Sequence, residues 1–351
     1  MTPLAMVSAR SQPLFRPVEL AFRTQYSEVK DRCRGAGELL PGTPGLLALR
    51  EGTGYGYWYR RYYSVPNREV EDFVCKAGDE AALQDMRSRI EFSTWTQQQV
   101  RALRKLNFQV ADKDVARVLV ELHNKHLFAC GLVMVGTLAF MAWLNEFGAT
   151  AISSRTQDID LARHQALKLA APLPFLESVQ ATKLKFLSVP GIPNDAPPTS
   201  VKRPGAAGLR IDVLTPGKTL GRIVPIPELE WHAQAVPQYD YLLSEPAEAA
   251  VLAGGHCIPV NLPSPERFVW HKLYSSASRV NDPGKAEKDV VQAATLAAVL
   301  VEQDLASVED SAREVPNAVL KAARTRLQLL RKCLTAHPQA LAQFEQVLGK
   351  R

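Results

Sequence analysis

Gly131–Leu161, GLVMVGTLAFMAWLNEFGATAISSRTQDIDL, constrains the fold more tightly than any other stretch of the chain. An apolar run leads to Gly136-Thr137, an apolar helical segment follows, and a second strand ends in Asp158-Ile159-Asp160. Side chains alternate along a strand, so Asp158 and Asp160 share one face. Two carboxylates so placed are costly unless they are solvated or hold a cation. A turn carrying glycine and a hydroxyl, opening a helix, offers backbone N–H groups to a phosphate. A cation beside a phosphate is the chemistry of phosphoryl and nucleotidyl transfer.

The 351 residues give room for two or three domains, and 46% hydrophobic with 22% charged residues describes an ordinary soluble protein. No apolar run has the length of a bilayer span, so no membrane role is expected. The N-terminus lacks an apolar core after a basic start and is not expected to be a secretory signal. Cys33, Cys75, Cys130, Cys257 and Cys333 are odd in number and without CxxC spacing. Neither a disulfide framework nor a zinc site is expected, and the expected compartment is a reducing cytoplasm. A net charge of +6 suits RNA and a triphosphate equally well.

Three segments are expected along the chain. Residues 1–108 carry an irregular arm, a helix over Val18–Cys33, a β-hairpin or meander over Leu46–Lys76, and helices over Asp79–Glu91 and Gln97–Leu106. Residues 109–262 form the core: a helix over Lys113–Lys125 capped by Asp112, the Gly131–Leu161 unit, a helix over Leu173–Leu184, and a strand over Lys185–Val189. A Pro/Gly-rich loop then spans Pro190–Gly208, a strand holds Leu209–Leu214, and short strands cover Tyr241–Leu243, Ala249–Leu252 and Cys257–Val260. Residues 263–351 are helical, over Glu266–Ala277, Lys285–Gln303, Asn317–Ala336 and Gln339–Leu348. The YWYRRYY run, Tyr57–Tyr63, suits base stacking, but alternating aromatics more often pack a small sheet.

Gly136-Thr137, Asp158-Ile159-Asp160 and Asp212 in LRIDVL together resemble the DNA polymerase β-type nucleotidyltransferase superfamily. VGTLAF, RTQDIDL, LRIDVL, SPERFVWHKL and KAEKDVVQA resemble a bacterial family of nucleotidyltransferase-fold proteins, distantly similar to the AbiEii/MenT-type toxins. That resemblance implies an α+β fold: a small mixed-sheet core between an N-terminal helix and hairpin region and a C-terminal helical domain. It also implies transfer of NMP from an NTP to an acceptor hydroxyl, with Mg²⁺ or Mn²⁺ held by Asp158, Asp160 and Asp212. RNA, especially tRNA, or a protein would be the acceptor, and an antitoxin a partner. Gly136 and Thr137 would meet the phosphates. The superfamily usually has Gly-Ser or Gly-Gly there, and threonine keeps the hydroxyl.

A cationic cluster completes the expectation. Lys272, Ser276 and Arg279 share one helical face, and Lys285 and Lys288 follow on the next helix. The resemblance gives Lys272 and the Lys288-Asp289 pair to phosphate binding, and Arg155 is a further candidate. His164, His232, His256 and His271 show no metal or triad spacing, and Trp143 and Trp270 sit at core positions. The competing expectation is a binding protein that keeps the fold without catalysis.

Overall fold

A computed structural model describes residues 12–349 apart from 53, 66, 67, 153–155, 192 and 206. The fold is α+β. Strand β1 (Phe15–Pro17) leads into helix α1 (Leu20–Gly35), whose buried stripe is Tyr26, Val29 and Cys33 at spacings of three and four. An antiparallel meander follows: β2 (Leu46–Gly52), β3 (Tyr55–Val65) and β4 (Arg68–Lys76), with β3 in the middle. On β3 the side chains turned inward are Arg60 and Tyr62, while Tyr55 and Tyr63 are exposed. The Arg60 guanidinium donates to the carbonyls of Pro41, Thr43 and Pro44 at 2.6–2.9 Å and lies 3.9 Å from the Tyr62 ring. It therefore folds the preceding loop onto the sheet.

Helix α2 (Glu80–Lys105) runs unbroken where two helices are expected. The Ser93-Thr94-Trp95-Thr96 segment does not break it. Thr94 and Thr96 return their hydroxyl hydrogens to the carbonyls of Ile90 and Phe92, one turn back, and Thr96 is buried. Helix α3 (Lys113–Asn124) begins after Asp112, which makes no side-chain cap bond. Then come β5 (Leu132–Val135), α4 (Gly136–Glu146), β6 (Ala149–Ala151) and β7 (Asp158–Arg163). Asp158-Ile159-Asp160 thus opens its strand, where the sequence suggests that it closes one. Leu161 and Ala162 are both buried, and they extend the strand inward past the acids.

The remaining elements of the larger unit are α5 (Phe175–Gln180), β8 (Leu187–Ser188), β9 (Ser200–Lys202), β10 (Arg210–Pro216), β11 (Ile223–Ile226), β12 (Trp231–Val236), α6 (Tyr239–Leu243), β13 (Pro246–Ala253) and β14 (His256–Pro263). Tyr241–Leu243 is helical where a strand is expected. Gln238 at φ +64° turns the chain, and the three successive residues are all buried, which an alternating strand does not allow. Gly254 and Gly255, both at positive φ, close the β13–β14 hairpin as a two-residue turn.

The central sheet runs β11-β12-β10-β7-β5, with β9 on β10 and β8 on β9. β10 is parallel to β7 along one edge, and its other edge is divided between β9 at 210–212 and β12 at 214–216. Pro225 falls on β11, the edge strand, where a missing N–H is tolerated. Helix α4 is buried from Thr137 to Asn145, and each Leu or Phe fully removed from water contributes about 1.5–3 kcal/mol. Its last residue, Glu146, accepts hydrogen bonds from Tyr26 Oη, Lys30 Nζ and the Ala250 amide at 2.6–3.0 Å, tying α4 to α1 and β13.

The chain divides into two units: Glu19–Gly148 with Ser153–Pro263, and the described parts of Met1–Val18, Ala149–Ile152 and Ser264–Arg351. In the smaller unit β1 pairs antiparallel with β6. Its helices are α7 (Pro265–Ser278), α8 (Pro283–Glu302), α9 (Val308–Ser311), α10 (Asn317–Arg324), α11 (Leu327–Cys333) and α12 (Pro338–Leu348). The expected Asn317–Ala336 helix is two helices, separated at Thr325-Arg326. Phe15 stacks on His337, whose Nε2 accepts from the Leu14 amide at 2.8 Å and whose Nδ1 lies 2.6 Å from Glu302. No described helix is long and apolar enough to cross a membrane.

Candidate active site

β5 runs into α4 without a loop. Val135 is extended, and Gly136 turns the chain at φ +72°. β5 is antiparallel to β7 with Val135 opposite Asp160, so Gly136 comes beside that acid. A Cβ on Gly136 would overlap Asp160 Oδ2 and stand 2.9 Å from its carboxyl carbon. Backbone angle and space thus both demand glycine. Thr137, the next residue, is buried in the first turn of α4.

β10 supplies the other half. Its register sets Arg210 opposite Asp158 and Asp212 opposite Asp160. Paired residues of neighbouring strands project to the same face, about 4.8 Å apart. Asp158, Asp160, Arg210 and Asp212 therefore form a patch, while Ile159 and Ile211 between them point into the core and are fully buried. Asp212 Oδ1 accepts from Arg210 Nε at 2.8 Å and from the Ser200 hydroxyl, and Arg210 Nη2 donates to Ser200 Oγ at 2.8 Å. Ser200 stands directly across β9 from Asp212. The Asp158 amide donates to Thr156 Oγ1 at 3.2 Å.

The donor set suits a hard divalent cation: three carboxylates on two adjacent strands, with the glycine leaving the space that the Asp160 carboxylate fills. Arg210 competes for that role, because its ion pair occupies one oxygen of Asp212. Asp212 Oδ2 makes no hydrogen bond among the described residues. Those residues contain no ready-made cluster of three metal-ligating side chains. The residues fit a cation held by Asp158, Asp160 and Asp212 Oδ2, provided their side chains draw together around it.

A family model described as "Nucleotidyltransferase" matches residues 113–316, from the start of α3 to the residue before α10. The chain belongs to that nucleotidyltransferase family. Among solved structures it is similar to an antigenic nucleotidyltransferase-like protein from Paracoccidioides brasiliensis, at 14% identity and a TM-score of 0.38, covering 68% of this chain and 96% of that one. No curated protein matches the chain.

In this family member four of the expected phosphate-binding cations, Lys272, Arg279, Lys285 and Lys288, lie on the smaller unit, and two of them share one acid. Lys272 Nζ is 2.7 Å from Asp289 Oδ1, and Arg279 Nε is 2.8 Å from Asp289 Oδ2. Asp289 is 4% exposed and Lys272 9%, so these two form a buried ion pair, and the exposed Arg279 completes a triad from the surface. Ser276 is fully buried, with its hydroxyl unpaired. Lys285 reaches Asp282 at 3.5 Å, and Lys288 is half-buried and also has a partner. Arg155 lies outside the described residues.

Two residues of the patch are absent from the sequence-based expectation. Arg210 stands two places before Asp212 on an alternating strand, so its facing was legible from spacing alone. Ser200 was not, because its strand of three residues sits inside a Pro/Gly-rich run that reads as loop.

Proposed function

We propose that the protein transfers a nucleoside monophosphate from an NTP to an acceptor hydroxyl. The observation that carries this is the direct pairing of Asp160 with Asp212 on parallel strands, with Gly136 yielding its side-chain space to Asp160. Asp158, Asp160 and Asp212 would hold Mg²⁺ or Mn²⁺. Such an ion neutralises triphosphate charge and lowers the pKa of the acceptor hydroxyl. The N-terminal N–H groups of α4, with the Thr137 hydroxyl, would bind a phosphate oxygen. Ser200 orients Asp212 through its Oδ1, Oδ2 is left for ligation, and Arg210 competes with the cation for the same carboxylate. Arg155 remains a candidate for phosphate on the larger unit, and on the smaller unit Lys272, Arg279 and Lys288 are candidates for a phosphate group that would take the place of Asp289.

The acceptor we propose is an RNA 3′ end, which suits the net charge of +6. The test incubates the protein with each labelled NTP, Mg²⁺ and either total RNA or cell extract, beside Asp158→Ala/Asp160→Ala. Label should pass to RNA with the native protein and fall to background with the double variant. Label on protein would move the acceptor to a protein hydroxyl. RNA binding without transfer in either form would make this a binding protein that retains the fold. A toxin role with a partner antitoxin predicts growth arrest on expression that Asp160→Ala abolishes.

A further inference from the structure

The larger unit contains a cavity of about 350 Å³ that shares no residue with the carboxylate patch. Its walls come from α3, the meander and the β13–β14 turn, and include Thr43, Ser64, Lys113, Asp114, Arg117 and His256. Its size is that of a small-molecule site.

The charges in this wall are not balanced. Arg117 is 5% exposed, donates from Nε to the Thr182 carbonyl at 3.1 Å, and leaves Nη1 without a hydrogen bond. No carboxylate pairs with it among the described residues. A buried guanidinium with no counter-charge is strongly unfavourable, and an anion in the cavity would relieve it. Asp114 does not serve, because Arg203 already engages it. Lys113 is exposed at the rim and is likewise without an ion pair among the described residues.

His256 gives the ligand one more property. Its Nε2 lies 3.0 Å from the Leu40 carbonyl, which can only accept, so Nε2 carries the hydrogen. Nδ1 of the neutral ring is then an acceptor, and it has no partner. We propose that this cavity binds a small phosphate-bearing metabolite, the oxyanion against Arg117 and Lys113 and a ligand hydroxyl hydrogen directed to His256 Nδ1.

The test titrates the full chain with inorganic phosphate, without metal or NTP, by calorimetry and by thermal melts. Saturable binding is expected, Lys113→Glu should weaken it at least ten-fold, and Arg117→Met should abolish it. Sulfate, which carries no proton at neutral pH, should bind several-fold more weakly, and equal affinity would remove His256 from the site. Asp158→Ala/Asp160→Ala should bind phosphate as the native protein does, which separates this site from the catalytic proposal. The inference is overturned by a non-saturable response, by loss of binding in that double variant, or by unchanged affinity in Lys113→Glu. Lys113 is exposed, so that last variant decides the matter even where Arg117→Met does not fold.

Discussion

The carboxylate of Asp160 fills the space where a Cβ on Gly136 would stand. Strand, helix start and acid are therefore interlocked before any ligand arrives. Gly136→Ala meets both the carboxylate and a φ of +72°, and should cost about 1–3 kcal/mol. With Asp160→Ala in the background the carboxylate overlap is gone, and the cost should fall toward the backbone component of about 1 kcal/mol plus the tight contact with the residue-160 Cβ at 3.2 Å. Urea unfolding of the four proteins in the cycle measures the coupling, and strictly additive effects would contradict the interlock.

Arg210 and a cation compete for Asp212. The Arg210 side chain is 39% exposed, so Arg210→Gln should change stability by less than about 1 kcal/mol. Affinity for Mn²⁺, followed by its paramagnetic signal, should rise several-fold in that variant. An unchanged affinity would mean that Arg210 leaves Asp212 free to ligate as it stands.

Asp289 answers two cations at once, and its side chain is 5% exposed. Asp289→Ala leaves the buried Lys272 uncompensated and should cost about 3–5 kcal/mol. Lys272→Met leaves Arg279 to neutralise Asp289 and should cost clearly less. Chemical denaturation of both variants checks the order, and equal costs would argue against the triad.

Acid should destabilise the fold in two stages. Burial holds the His256 imidazole below its ordinary 6.5, helped by the fields of Arg117 and Arg60 and opposed by its bond to Leu40. The unfolded chain then takes up a proton that the folded one refuses, so stability falls as pH drops below about 6.5. Burial alone would raise Glu228, but its bond to Arg163 at 2.6 Å and the Leu167 amide outweigh that and hold it below 4.5. The stability it contributes is complete above that value and is lost as pH falls through the depressed one. Melting temperature against pH should show both limbs, and His256→Gln should flatten the upper one alone.

Much of this was legible from spacing. Asp158 and Asp160 on one face, and Asp212 with its own strand, follow from period-2 alternation, because a strand buried on one side has little freedom of register. The boundary residues were harder. The Ser93–Thr96 segment reads as a break because hydroxyl residues disfavour a helix interior, but burial of Leu83, Thr96, Val100 and Leu103 along one helix outweighs that cost. β9, β11 and β12 lie among prolines, and only their pairing makes them strands, β9 and β12 on β10 and β11 on β12. The Lys272–Asp289 bond joins residues 17 apart on two helices, which a one-helix face pattern does not register.

β1 takes its strand partner, β6, from the middle of the chain and its ring partner, His337, from far beyond it. The Leu14 amide and the Phe15 ring wait for His337, 323 residues on from Leu14. β6 is available to pair with β1 much earlier, but at a synthesis rate of roughly 5–20 residues per second the Leu14 amide and the Phe15 ring wait tens of seconds for His337. The smaller unit therefore closes on Leu14 and Phe15 only after the whole of the larger unit has been made. A nascent chain stalled before His337 should expose β1 to protease, and release should protect it.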